Sequence, residues 1–263
     1  MSLLLAVLLV LGLATAGHGK MATQTISYKQ GDTVLNGYLA YDDAIKGKRP
    51  GVMVVHEFWG LNDFAKKAAE RVAGLGYVAL AVDMYGQGKV GKTPDEAREL
   101  AGQVRGTPLM RERARAGLDA LAKNDLVDPR RLAAMGFCFG GTTVLELAYS
   151  GADVRGVASF HGGLTAPRPE DLPNIKASFL VLHGAEDPHV KPEEIVAFED
   201  GMRQAKADWQ MVLFGGAVHS FTNPEANGLK MPGVAYDAKA DSRSWKYMQM
   251  FFQEIFSSEG SGR

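Results

Sequence analysis

The sequence predicts an α/β fold, a single domain in which a mostly parallel central sheet is flanked by helices. Three observations predict it. Short, nearly continuous apolar runs recur at Gly51–Val55, Tyr77–Val82, Leu132–Gly136, Val154–Phe160, Ser178–His183 and Trp209–Phe214. Runs of this kind suit strands buried on both faces, as in a parallel sheet. Helical patterns stand between them, so strand and helix alternate throughout. The chain has 263 residues, 46% hydrophobic and 22% charged, enough to bury a core without disulfides or metals. Sheets of this type gather ligands at the carboxyl ends of their strands, so the residues at those ends carry the functional question.

The elements follow in order. Leu3–Leu13 is almost wholly apolar and Ala14-Thr15-Ala16 has the small residues of a cleavage site. That stretch is too short to span a bilayer but suits a secretory signal over residues 1–16, although no Lys or Arg precedes it. The expectation is a mature chain beginning near Gly17, exported to a periplasm or secreted, without stable membrane association afterwards. The alternative is a true start at Met21 and a cytoplasmic protein. The domain is expected over residues 23–256. Thr25–Tyr28 and Val34–Ala40 alternate apolar and polar residues and suit an opening hairpin. Asn62-Asp63 caps a helix that ends near Gly74, Pro94 opens another running through Val104, and Pro108 a third reaching about Lys123. Further helices are expected over Gly140–Tyr149, Lys191–Lys206 and Ala235–Phe256, and then a flexible tail over residues 257–263. The Gly- and charge-rich stretch Gly86–Gly106 reads as a flap over the site or as an ordinary surface excursion.

Charge and residue usage exclude several classes. A net charge of −1 gives no reason to expect nucleic acid or an anionic membrane as partner. Arg111, Arg113 and Arg115 lie on a helical pattern with Glu112 and Asp119 and read as a solvated helix face. His56, His161 and His183 end strands, where packed, hydrogen-bonded rings are expected, and His189 reads as a turn residue. None of them has metal-ligand spacing, so neither metal nor cofactor is expected. The sole cysteine, Cys138, can make no internal disulfide, and its setting must decide whether it is structural or chemical.

That setting is specific. Between a predicted strand and a predicted helix stands Gly136-Phe137-Cys138-Phe139-Gly140-Gly141, the pattern G-x-C-x-G-G. A sharp strand-to-helix turn holds a nucleophile in a strained conformation and demands small flanking residues, here Gly136 and Gly140. It also sets the sulfur near a helix N-terminus, where partial positive charge favours thiolate. The partners of such a nucleophile follow in the order acid, then histidine. Asp187 stands just past the run that ends at His183, in a turn stiffened by Pro188. His219 follows the last strand in the loop Gly215-Gly216-Ala217-Val218-His219-Ser220-Phe221. Cys138, Asp187 and His219 therefore read as a nucleophile–acid–base triad.

These residues resemble the dienelactone hydrolase (carboxymethylenebutenolidase) family of the α/β-hydrolase fold. The resemblance runs from Tyr38 to Phe252 and is carried by His56-Glu57-Phe58-Trp59-Gly60-Leu61, Asp83-Met84-Tyr85-Gly86, the elbow, His183-Gly184-Ala185-Glu186-Asp187 and His219-Ser220-Phe221. It implies a cysteine-dependent hydrolase that cleaves a small-molecule ester or lactone through an acyl-enzyme. It further implies that Glu57 contacts the resting thiol and takes its proton when substrate binds. Backbone N–H groups of Phe58 and Phe139 are the expected oxyanion hole, and Trp59, Tyr85, Gln87, Phe221 and Asn223 the expected substrate pocket. One departure bears on specificity. Family members grip a substrate carboxylate with two arginines, at positions where this chain has Gln87 and Asn223. Neither makes a charge-assisted fork, so neutral substrates are expected. The alternatives are hydrolysis of dienelactone itself, a noncatalytic ligand-binding protein of the same fold, or a redox role for Cys138.

Overall fold

The structure, a computed structural model, describes residues 20–257. Strands β1 (Met21–Gln30) and β2 (Thr33–Asp42) form a hairpin; β3 (Arg49–Val55), α1 (Asp63–Ala73) and β4 (Val78–Val82) follow. Next come α2 (Pro94–Gly102), α3 (Pro108–Ala122), β5 (Val127–Phe137), α4 (Phe139–Tyr149) and β6 (Gly156–Phe160). The chain then runs through β7 (Ser178–Gly184), α5 (Pro192–Ala205), β8 (Trp209–Phe214) and α6 (Ala238–Ser257). The sheet has eight strands in the order β1-β2-β4-β3-β5-β6-β7-β8. From β4 to β8 every neighbouring pair is parallel, and only β2 runs against the others.

Two hydrophobic layers cover the sheet. Residues of α3, α4 and α5 pack on one face, with Leu118, Leu145 and Phe198 buried, and α1 and α6 pack on the other, with Val72, Met248 and Phe252 buried. The chain leaves β3 toward β4 and returns to the other side of β3 as β5, a switch in direction that opens a crevice at the carboxyl ends of these two strands. Cys138 and Glu57 stand at that crevice.

Where the observed elements differ from those expected, there is a local reason. The hairpin strands are longer because their ladder continues through polar, half-exposed residues that mask the alternation. Strand β5 begins at Val127, where Asp128, Arg130 and Arg131 interrupt the apolar run without ending the strand. The last helix starts at Ala238, not Ala235, because the segment before it is bonded elsewhere: Ala235 N–H donates to His219 O and Asp237 N–H to Phe221 O. The Asp237 carboxylate then accepts from the Lys239 and Ala240 N–H groups at 2.9 Å and opens the helix. Ser257 closes α6 and so does not belong to the tail. The proposed signal segment, residues 1–16, and the rest of the tail lie outside the described residues. Among those described, no helix is long and apolar enough to cross a membrane. The stretch after Gly86 carries the ordered helix α2, whose N-cap Thr93 accepts from Glu96 N–H.

Candidate active site

The register of the strands assembles the site. Val55 on β3 lies opposite Gly136 on β5, so Glu57 and Phe58 emerge beside Cys138. Phe137 lies opposite Phe160 on β6, which sets His161 on the other flank of the cysteine. Phe160 pairs with Leu182 on β7 and Gly184 with Phe214 on β8, which bring His183, Asp187 and the His219 loop to the same end of the sheet.

Cys138 caps α4 with φ 52° and ψ −113°, in the left-handed region that side chains rarely occupy. The turn closes so tightly that a Cβ on Gly136 would strike Gly140 O, and one on Gly140 would strike Val55 O. Both flanking glycines are therefore sterically required, as the motif predicts. Two acceptors hold the strained N–H of Cys138: Phe160 O at 3.0 Å and Nδ1 of His161 at 3.2 Å. Because that contact needs a bare Nδ1, the His161 proton sits on Nε2, 2.8 Å from Thr222 Oγ1. Burial, reinforced by the nearby His219, keeps this ring neutral, its pKa well below the ordinary value. His161 is thus a packed, hydrogen-bonded ring, as its place at a strand end suggests, and it braces the elbow from behind.

His219 and Asp187 meet as expected, with His219 Nδ1 2.7 Å from Asp187 Oδ2. Asp187 is held from its other oxygen by the His189 N–H at 2.8 Å. Burial alone would push His219 down, but its interactions with the adjacent Cys138 and with Asp187 outweigh burial and raise its pKa well above normal. Burial alone would raise Asp187; the hydrogen bond and charge of His219 hold it below the usual value instead. His189 is more than a turn residue. Its ring stands edge-on to His219 at 5.0 Å and lines the cavity, a placement that turn chemistry alone did not disclose.

Glu57 is 1% exposed and differs from the expectation in its partners. Its two oxygens accept from Ser220 Oγ and Asn223 Nδ2, each at 2.7 Å, so the carboxylate is engaged by these donors and not by Cys138. Burial raises the Glu57 pKa against the opposing pull of these donors and of His219. Ser220 reaches Glu57 from a left-handed backbone, φ 55°, directly after His219.

A cavity of about 930 Å³ opens over Cys138 and His219, with Phe58 and Trp59 in its wall. Of the expected pocket residues only Trp59 lines it. Tyr85 lies beneath, 5% exposed, its hydroxyl donating to Phe58 O at 2.8 Å and so fixing the peptide after β3. Asp83 builds that loop by accepting from the N–H groups of Tyr85, Gly86 and Gly88. Phe221 is fully buried against His161 and Phe214. Asn223 is spent on Glu57, and Gln87 is exposed, its N–H bonded to Val34 O on the hairpin. The expectation of neutral substrates rested on these last two residues, and neither reaches the cavity. Among the described residues no cluster of His, Cys, Asp and Glu could hold a metal ion.

A sheet with this topology, a strained cysteine at the strand-to-helix turn and an Asp–His pair beside it define the α/β-hydrolase class. The dienelactone hydrolase family profile matches residues 35–256, and the chain belongs to that family of hydrolases. A crystallised dienelactone hydrolase-like promiscuous phosphotriesterase from metagenomic libraries is 44% identical and superposes with a TM-score of 0.88, covering 91% of this chain and all (100%) of its own. Protein usf of Aquifex pyrophilus is 27% identical over 239 residues, 89% of this chain and 99% of its own length. A dienelactone hydrolase from Anabaena variabilis, 22% identical with a TM-score of 0.62 over 87% of this chain and 98% of its own, shares the fold.

Proposed function

We propose that this hydrolase cleaves carboxylic esters or lactones by nucleophilic attack of Cys138, through an acyl-enzyme, with His219 as acid–base and Asp187 as its anchor. The observation that carries the reading is Cys138 and His219 together on the wall of the cavity, with His219 Nδ1 2.7 Å from Asp187 Oδ2. His219 Nδ1 is engaged by Asp187, and its raised proton affinity leaves Nε2 to carry the proton that the leaving alcohol takes. Sulfur attacks the carbonyl carbon, and the charge that develops on oxygen meets the backbone N–H groups of Phe139, at the start of α4, and Phe58, whose peptide Tyr85 steadies. Loss of one such donor costs about 3 kcal/mol of transition-state stabilisation. The imidazolium protonates the leaving alcohol. It then takes a proton from water, which releases the acid and restores the thiol. The role of Glu57 in this scheme is to receive the thiol proton when substrate displaces the resting arrangement.

Short-chain aryl esters supply the test. Wild type should turn over and accumulate a mass increment on Cys138, and Cys138→Ala should lose both. Full turnover in Cys138→Ala overturns the assignment. Binding without turnover in wild type indicates a noncatalytic protein, and peroxide-dependent, reversible oxidation without hydrolysis indicates a redox thiol. Neutral phosphotriesters belong in the same panel, because the 44%-identical structure is that of a promiscuous phosphotriesterase. Export remains part of the proposal, and N-terminal sequencing of natively expressed protein should find a start near Gly17; a start at Met21 would refute it.

A further inference from the structure

The cavity has two unlike sides. One is the catalytic side, with Phe58, Trp59, Cys138 and His219; the other is built by α2, α3 and the link between them, with Arg98, Arg105, Thr107 and Arg111. The charged groups on that second side are almost all spoken for. Arg111 forks onto Asp171 at 2.7 and 2.8 Å and also binds Glu146 at 2.7 Å. Arg168 is bound to Asp171, Arg98 to Asp95, Glu112 to Gln30, and Glu194 to the Lys191 N–H. Arg105 differs from all of these. It lines the cavity, yet its guanidinium makes no hydrogen bond or ion pair with any described residue.

Its position is also held. The guanidinium carbon lies 5.8 Å from the centroid of Phe139, the residue directly after Cys138, so it rests over the ring that floors the elbow. A smaller recess of about 220 Å³ runs between Arg105, Arg98, Phe58 and Ala101. The first turn of α3, Thr107 and Pro108, faces the main cavity with no side-chain cap and no acidic residue, so its partial positive charge adds to that of Arg105. Arg105 is exposed, so its guanidinium is open to a ligand entering the cavity that it lines. Its planar fork matches two oxygens of one group.

The geometry points to Arg105 as a specificity-determining residue that binds an oxyanion group, a carboxylate or its sulfonate equivalent, carried by the ester away from the scissile carbonyl. The site differs from the two family positions occupied here by Gln87 and Asn223, both of which lie outside the cavity, and it reverses the preference for neutral substrates that those residues suggest. It rests on the assignment of Cys138 as nucleophile for its place in the reaction, though not for the binding itself.

The test compares aryl esters of one skeleton that bear a neutral amide, a carboxylate or a sulfonate on the acyl chain. Wild type should show kcat/KM about tenfold higher for the anionic members than for the amide. Arg105→Gln should bring that ratio near one, and Arg105→Lys should retain part of it, since ammonium keeps the charge and loses the fork. Circular dichroism confirms that the variants fold. Binding of the matching free carboxylate and sulfonate to Cys138→Ala, with and without Arg105→Gln, separates the two claims, because it requires no nucleophile. Tenfold weaker binding in the double variant supports the anion site even if Cys138 proves not to be the nucleophile. A wild-type preference for the amide, or a ratio unmoved by Arg105→Gln, overturns it.

Discussion

Glu57 and Asp187 are both buried carboxylates just past the ends of parallel strands, and both feel His219, yet their proton affinities are pushed in opposite directions. Asp187 bonds to His219 itself, and that neighbouring charge holds it ionised below the usual range. Glu57 receives two neutral donors, Ser220 and Asn223, which do not offset the loss of water, and its pKa rises. Two acids of one chemistry therefore differ in proton affinity according to whether a bonded neighbour carries charge, and the proposed scheme uses one as an anchor and the other as a proton acceptor. The difference teaches that burial alone does not assign a role.

The largest effect tests the anchor. Asp187→Asn should lower kcat/KM by roughly 10⁴-fold with little change in fold, because an amide no longer fixes the productive His219 tautomer. His219→Ala should lose at least as much. If Asp187→Asn stays within tenfold of wild type, the base takes its orientation elsewhere and the contrast with Glu57 dissolves.

Acid titration should be the next largest. His56 is buried, its Nε2 accepting from the Met84 N–H at 3.3 Å, and burial outweighs the Glu57 carbonyl and the charge of Asp83 and pushes its pKa down to about 4. Below an unfolded value of about 6.5 the unfolded chain binds the proton first, so stability is full above that pH and falls as pH drops toward 4, by about 3 kcal/mol for this ring. His161 and His183, both lowered by burial, act in the same direction. Asp187, depressed, keeps its contribution until pH falls below the ordinary carboxylate range. Glu57, raised, acts with the opposite sign and stabilises as pH falls. Urea unfolding at pH 7 and pH 4.5 should show the loss; equal stability at both would mean that the buried rings have partners other than those seen.

Glu57→Gln should sharpen the comparison on two axes. Removing a carboxylate held against its burial should raise Tm by about 2–4 °C at pH 8, roughly 1 kcal/mol for a chain of this size, and by nothing at pH 4, where the acid is already protonated. Activity should fall by about tenfold if the carboxylate receives the thiol proton. A lower Tm at pH 8 would show that Ser220 and Asn223 compensate the charge fully.

Ser220→Ala should give the smallest change. It removes one of the two donors and should cost about 1 kcal/mol at pH 8, less at pH 4, and nearly nothing in a Glu57→Gln background. The same cost in both backgrounds would mean that the hydroxyl serves the loop and not the carboxylate.

Much of this was legible in the sequence because it depends on local pattern. Apolar runs alternating with helical periodicity are the direct trace of strands buried on both faces, and they located β3 to β8 to within a few residues, apart from the charged start of β5. The elbow was legible because its turn admits only glycine at Gly136 and Gly140. Cys138, Asp187 and His219 could be placed at one end of the sheet because each follows a strand, and parallel strands bring their ends together. What the sequence could not determine was which side chains face the cavity. Gln87 and Asn223 stand close in sequence to site residues, yet one points to solvent and the other is consumed by Glu57. Arg105, on a link that no motif marks, enters the cavity because α2 and α3 fold back over the strand ends. Local pattern fixes backbone position at strand ends through hydrogen-bond register. The direction of a loop side chain is settled by contacts between segments far apart in the chain, and only the tertiary structure decides those.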